Sequence, residues 1–319
     1  MLSRANLLPL FLFVSLANVS LNISIDFTPN ADSDYSNSEK SLFQSAANFW
    51  TSIISGYQDG VDRDWTLTVD SFSEAAANGS VRLGSATASG FAISQFVANS
   101  NYPHGRFIYT TGGYASFNTH NNAGNLSETV IIHEIGHALG IGLVWEANEV
   151  YNDGDPSNNF SYLVNGGYYE RYLFGGTPGQ YMGAAGLNAY RNEFDPNALF
   201  IPVELDGSSG TVHGHWNEVA DNPSLENLAG FDNDPGDDVP APIVTSGPNS
   251  GKSFDDELMT GIMSGTPFLS ETTKESLKDI GFTIPEPRTY VLVLGCLALI
   301  AGIRRKSADL RSKLEQPSL

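Results

Sequence analysis

The chain has 319 residues, of which 41% are hydrophobic, and its 36 acidic against 16 basic residues give a formal net charge of -20. This length suffices for one large domain or two smaller ones, each with an apolar core. So acidic a surface repels nucleic-acid phosphates and argues against DNA or RNA as partners. The single cysteine, Cys296, excludes a disulfide within the chain.

The first twenty residues are typical of a signal peptide. Arg4 gives a positive start, residues 5–16 are apolar, and small residues follow. The alternative is a buried N-terminal helix, which Pro9 disfavours because proline interrupts helical hydrogen bonding. We therefore predict cleavage near residue 20.

Apolar periodicity predicts the elements that follow. Strands are expected at 21–27, 65–69 and 106–117, and helices at 41–54, 125–139, 183–194 and 272–280. Asn125 with Glu128, and Thr272 with Glu275, have capping-box spacing at two of these helix starts. Gly, Asn and Asp are dense beyond the third helix, which indicates a second half made mostly of loops.

The helix predicted at 125–139 carries the sequence His-Glu-Ile-Gly-His-Ala-Leu-Gly. His133 and His137 are four residues apart and therefore share a helix face, where both can bind one metal ion. Two imidazoles suit zinc, and Glu134 lies beside the first ligand, where it can take a proton from a zinc-bound water. Gly140 is placed to end the helix. The motif predicts a hydrolytic zinc site.

A catalytic zinc usually has three protein ligands, so a third is expected. His104 and His120 occur in loop-like sequence and are expected on the surface, which leaves His213 or His215. The alternative is a glutamate from a later element. The candidates for that alternative are Glu146, Glu149, Glu170 and Glu193. A separate acidic run at 232–238 offers the oxygen ligands that calcium prefers, or forms a solvated loop.

Residues 130–282 resemble the leishmanolysin family of metzincin peptidases. In metzincins with a compact motif the third histidine would stand at Leu143, whereas in this family it comes after an insertion and precedes tryptophan, as His215-Trp216 does. The resemblance gives His215 the role of third ligand, with His213 as the alternative. It places a methionine turn at Met259, with Met263 as the rival position.

The resemblance implies an α+β, metzincin-like fold, in which a twisted mixed sheet and two long helices precede a loop-rich C-terminal subdomain. The catalytic domain would span 21–283, divided into 21–142 and 143–283. It implies a zinc endopeptidase with Glu134 as general base. The strand at 106–117 would edge the cleft, where a polypeptide substrate pairs with it in extended form. Two other functions stay open: a cell-wall amidase, and an envelope matrix or binding protein with a structural zinc.

The C-terminal segment 284–306 resembles the PEP-CTERM sorting signal of bacterial envelope proteins. Pro285-Glu286-Pro287 precedes an apolar run at 290–303 and a basic cluster at 304–306. Fourteen helical residues reach only about 21 Å, short of the roughly 30 Å bilayer core. The resemblance implies an exosortase-type processing enzyme as partner, membrane contact through the apolar run, and a cytoplasmic tail at 307–319. A retained anchor helix is the alternative. We expect an exported bacterial protein of the envelope or the extracellular space.

Overall fold

The structure, a computed structural model, describes residues 21–75, 81–98, 105–120, 126–154, 161–164, 167–170, 177–205, 210–217, 241–261 and 266–285. Several predicted features lie outside these residues. They are the signal peptide, His104, the acidic run at 232–238, Met263, and the sorting segment and tail from residue 286 onward.

The described chain forms an α+β fold. Its elements run in chain order as β1 (Asn22–Phe27), α1 (Pro29–Asp34), α2 (Asn37–Ile53), β2 (Gly56–Tyr57), β3 (Asp64–Phe72), β4 (Gly84–Ile93), β5 (Ile108–Asn118), α3 (Glu128–Leu139), β6 (Ser161–Val164), β7 (Gly167–Glu170), β8 (Gln180–Tyr181), α4 (Ala184–Glu193), β9 (Ile201–Pro202), α5 (Glu271–Asp279) and β10 (Phe282–Thr283). A short 3-10 turn at Phe254–Asp256 precedes α5. The two longest helices, α2 and α3, have 17 and 12 residues.

The main sheet has four strands in the order β1-β3-β5-β4, and it is mixed. β1, β3 and β5 are parallel, whereas β4 pairs antiparallel with β5. The expectation that a substrate pairs with the strand at 106–117 is wrong, because β5 is already paired with β3 on one side and with β4 on the other. The sheet ends in β1 on one side and in β4 on the other. No strand was predicted at β4, since its first seven residues are only Gly, Ser, Ala and Thr and show no apolar alternation.

Helix α2 lies against α3 and fixes its position. Trp50, fully buried on α2, donates its indole N–H to the carbonyl of Ile132 at 2.9 Å. The helix begins at Asn37, earlier than predicted, because Ser36 and Glu39 form a capping box. The core between these helices and the sheet is apolar and aromatic, and Phe43 packs against Phe117 there with ring centroids 5.2 Å apart.

Both predicted capping boxes at the later helices are wrong. Helix α3 starts at Glu128, and its N-cap is Ser127, which accepts from the Val130 amide. Helix α5 starts at Glu271, with Ser270 as N-cap. In each case a serine two residues from the predicted cap has the extended backbone conformation that capping needs.

Helices α4 and α5 cap one another. Asp279, the last residue of α5, accepts from the backbone amides of Ala185 and Gly186 at 2.9 and 2.8 Å. Glu193, the last residue of α4, accepts from the amides of Glu271 and Thr272 at 3.2 and 3.0 Å. Each carboxylate therefore satisfies unpaired N–H groups at the positive end of the partner helix.

The last described strand, β10, lies beside β2. β10 pairs antiparallel with β2, and the carbonyl of Thr283 also accepts from the amide of Ser55 at 2.8 Å. Residues near 283 therefore belong to the same packed body as the sheet. Among the described residues, no helix is long and apolar enough to cross a membrane.

Candidate metal centre

Helix α3 presents two imidazoles to one buried point. His133 and His137 are 6% and 7% exposed, because Ile131, Ile135 and Leu139 embed the helix in the core. The helix ends at Gly140, whose φ of 125° favours glycine, and the chain then turns sharply. That turn brings the carbonyl of Ile141 to 3.0 Å from His137 Nδ1.

The third imidazole, that of His215, arrives on a segment 78 residues later in the chain than His137. Two contacts fix this segment. Trp216 donates its amide N–H to the carbonyl of Met259 at 3.0 Å. A β-carbon on Gly142, which has φ of 78°, would lie 2.4 Å from the carbonyl oxygen of Gly214, so glycine lets the two backbones meet here.

The Nε2 atoms of the three histidines converge. They are 3.1 Å apart between His133 and His137, 3.2 Å between His133 and His215, and 2.9 Å between His137 and His215. Ligand nitrogens at 2.0–2.1 Å from a tetrahedral ion stand roughly 3.3 Å apart. The three spacings are close to that value, so the cluster can hold a metal ion.

The distal nitrogens fix the tautomer of each ring. Nδ1 of His133 lies 2.6 Å from the carbonyl of Leu258, that of His137 3.0 Å from Ile141, and that of His215 2.9 Å from Thr211. A carbonyl only accepts, so each Nδ1 carries the proton and each Nε2 presents a lone pair. Three facing lone pairs repel one another, and a cation between them removes that repulsion.

Burial keeps these imidazoles neutral. It lowers the pKa of His133, His137 and His215, and the neighbouring imidazoles lower the pKa of His137 and His215 further. The pKa of His215 falls to about 3. Protons therefore compete little with a metal for these nitrogens near neutral pH.

Glu134 follows the first histidine on α3 and lies against strand β4. It is 7% exposed, and burial raises its pKa to about 8, against which the Arg82 guanidinium acts in the opposite direction. A β-carbon on Gly84 of β4 would stand 2.8 Å from Glu134 Oε1. The strand therefore covers this carboxyl group closely, and a cation at the histidines would favour its charged form.

Met259 lies under the same helix. Its side chain is fully buried, and a β-carbon on Gly136 of α3 would be 2.8 Å from its sulfur. The preceding residue, Leu258, gives its carbonyl to His133. Met259 thus packs against α3 between the two histidines of that helix in sequence, at Gly136. Its role as a methionine turn stays a prediction.

Three other candidate ligands make contacts away from the cluster, whereas the side chain of Glu170 lies outside the described residues. His213 points to Tyr151, whose hydroxyl is 2.6 Å from its Nδ1. Glu193 caps α5, and Glu146 accepts from the amide of Asp153 at 2.9 Å. The described part of the chain contains one cluster of three potential metal ligands, formed by His133, His137 and His215. Their ligand atoms all lie within 4.8 Å of one another.

Sequence reasoning missed three contributors to this centre. Gly84 belongs to a strand without an apolar pattern, and the Leu258 carbonyl is a backbone group that no residue type marks. Glu257 is a buried carboxylate whose partners are up to 16 residues away in sequence. A glutamate directly before the apolar pair Leu258-Met259 was the available signal for the last of these.

Scans of the chain against known protein families and against curated proteins found no match. The case for a function therefore depends on the site itself.

Proposed function

We propose that this protein is a zinc-dependent endopeptidase of metzincin type, similar to leishmanolysin. The observation that carries the proposal is the convergence of three neutral imidazole nitrogens at 2.9–3.2 Å, with a buried carboxyl group on the residue after His133, Glu134. A structural zinc is usually enclosed by four protein ligands, whereas a catalytic one has three and an open position. Among the described residues, the site has three histidines, with an acid next in sequence to the first of them, and this set matches the catalytic pattern.

The residues divide the work as follows. His133, His137 and His215 would hold zinc, which supplies Lewis acidity to the scissile carbonyl and to the attacking water. Glu134 takes the proton from that water and passes it to the leaving amine. The carbonyls of Leu258, Ile141 and Thr211 hold the imidazoles in the required tautomer.

The substrate would bind along β4. This strand pairs with β5 on one side and is the last strand of its sheet, so its other edge can accept an extended peptide by strand addition. Gly84 on this strand lies over Glu134, which places the edge next to the proposed general base.

The test is cleavage of casein by the purified protein, with zinc content measured on the same sample. Chelation should abolish cleavage, and added zinc should restore it. Glu134→Gln should keep zinc and lose nearly all cleavage, because the ligands remain while proton transfer fails. Glu128→Gln, the same substitution in the first turn of the same helix, is the control and should stay active.

Three results would contradict the proposal. Wild-type cleavage by Glu134→Gln would remove the general base from the mechanism. Stoichiometric zinc with hydrolysis of cell-wall amides and none of casein would favour the amidase alternative, and zinc without any hydrolysis would favour a matrix or binding protein.

We also propose that the protein is exported and sorted at the bacterial envelope through an exosortase-type enzyme. The support is the signal-like residues 1–20 and the PEP-CTERM-like segment 284–306. Intact mass of the protein isolated from its source would test both, since cleavage near residues 20 and 287 predicts a defined shorter species.

A further inference from the structure

Glu257 is a buried carboxylate that the proposed chemistry does not use. It is 1% exposed, and both of its oxygens accept hydrogen bonds. Oε2 accepts from the Met259 amide at 2.6 Å, and Oε1 accepts from the Ser270 amide and hydroxyl and from the Thr273 hydroxyl, at 3.0, 2.9 and 2.7 Å. A buried charge is costly unless it is bonded in this way, so the position of Glu257 is closely determined.

Oε2 of Glu257 fixes the turn at Leu258 and Met259, next to the histidine cluster. Because Oε2 binds the Met259 amide, it orients the peptide unit that joins Leu258 to Met259. The carbonyl of that peptide unit is the group that accepts from His133 Nδ1 at 2.6 Å. The carboxylate of Glu257 therefore acts on the first ligand through one peptide plane.

Oε1 of Glu257 is linked, through two other side chains, to the segment that carries His215. The Thr273 hydroxyl that donates to Oε1 also accepts from the indole N–H of Trp216 at 2.8 Å. Trp216 follows His215 directly, and its amide N–H binds the carbonyl of Met259. One carboxylate thus links the segments that carry two of the three metal ligands.

We propose that Glu257 is a positioning residue of the metal centre, setting the geometry of His133 through the Leu258 carbonyl and that of His215 through Thr273 and Trp216. The inference rests on the metal site of the proposed function and is independent of the peptidase activity. Groups that orient metal ligands typically change metal affinity by about 10- to 100-fold when they are removed. A carboxylate that merely stabilised the fold would leave the affinity of the folded protein unchanged.

The chain offers a matched control in Glu193. It is also buried, it also caps α5, and each of its oxygens also accepts a backbone N–H, from Glu271 and Thr272. In either glutamate, substitution by glutamine turns an NH₂ group toward one of these backbone donors, whichever way the amide is oriented. The structural damage is therefore comparable, but only Glu257 contacts the turn at Met259.

The experiment is titration of the metal-free full chain with cobalt(II), whose visible absorption reports its coordination, together with urea unfolding of the metal-free proteins. Glu257→Gln and Glu193→Gln should shift the urea midpoint by similar amounts. Glu257→Gln should raise the cobalt Kd about 10- to 100-fold and alter the spectrum, whereas Glu193→Gln should stay within about threefold of wild type. Equal Kd values for Glu257→Gln and wild type, or equal losses in both variants, would overturn the proposal.

A gentler pair covers the case in which Glu257→Gln does not fold. Thr273→Val removes the hydroxyl between Trp216 and Glu257, and Thr272→Val removes the hydroxyl that donates to Glu193 at 3.1 Å; both threonines are fully buried. Only Thr273→Val should weaken cobalt binding, and unchanged affinity would refute the proposal. If the wild-type protein binds cobalt but does not cleave casein, the proposed peptidase activity is wrong, whereas the proposed role of Glu257 is unaffected.

Discussion

The role of Glu134 as general base can be tested by adding a single methyl group to strand β4. In Gly84→Ala the new carbon would stand 2.8 Å from Glu134 Oε1, whereas ordinary van der Waals contact begins at 3.4 Å. The carboxyl group would therefore move by about 0.6 Å. A 1 Å misplacement of a reacting group costs on the order of 100-fold in rate, so we expect roughly a 15-fold loss in kcat/KM, or about 1.6 kcal/mol. Zinc affinity should not change, because none of the ligands is touched.

The matched control is Gly90→Ala on the same strand. Its new carbon would also meet a side-chain oxygen at 2.8 Å, that of Thr111, but it lies away from Glu134. Steady-state cleavage of a fluorogenic peptide gives kcat/KM for both variants, and zinc titration gives the affinity. If Gly84→Ala is as active as wild type, Glu134 does not act from this position. If both variants lose activity equally, the strand rather than the carboxyl group is responsible.

Three further predictions follow from the site and the sheet. His215→Ala should sharply lower zinc occupancy while His213→Ala should not, because His213 is turned to Tyr151; the opposite pattern, by metal analysis, would make His213 the ligand. Saturation with zinc at about 1,000 times its Kd should stabilise the fold by about 4 kcal/mol and raise Tm by roughly 10 °C over the chelated protein, and equal melting curves would exclude a folded-state metal site. Deleting residues 21–34 should abolish folding rather than release an inhibited enzyme, since β1 is a strand of the main sheet; circular dichroism distinguishes the outcomes, and a folded, more active product would contradict it.

The sequence predicted the histidines of α3 better than the long-range contacts and the strand β4 that surround them. The pair His133 and His137 follows from helical periodicity alone, because both ligands and the spacing are local. His215 was reached only through its neighbour Trp216, since nothing in the spacing along the chain brings residue 215 to residue 137. The structure places it there through backbone contacts at Gly142 and Met259, which are long-range and leave no local pattern.

The missed elements share a physical cause. Strand β4 is stabilised by backbone pairing with β5, and its small side chains carry little of the hydrophobic signal by which a strand is recognised. The starts of α3 and α5 were misplaced because several capping residues occur close together, and only the backbone conformation selects Ser127 and Ser270. Glu257 was invisible as a functional residue because its importance depends on groups brought to it by folding.

The mutual capping of α4 and α5 has a consequence for the nascent chain. The two helices have ten and nine residues, lengths that are marginal in water, and the caps join positions 78 to 94 residues apart in the sequence. Helix α4 therefore lacks the carboxylate that caps its N-terminus until Asp279 has been synthesised. The turn at Leu258, whose carbonyl binds His133, is likewise tied to α5 through Glu257. The proposed metal centre would therefore be completed only after α5 has joined the fold.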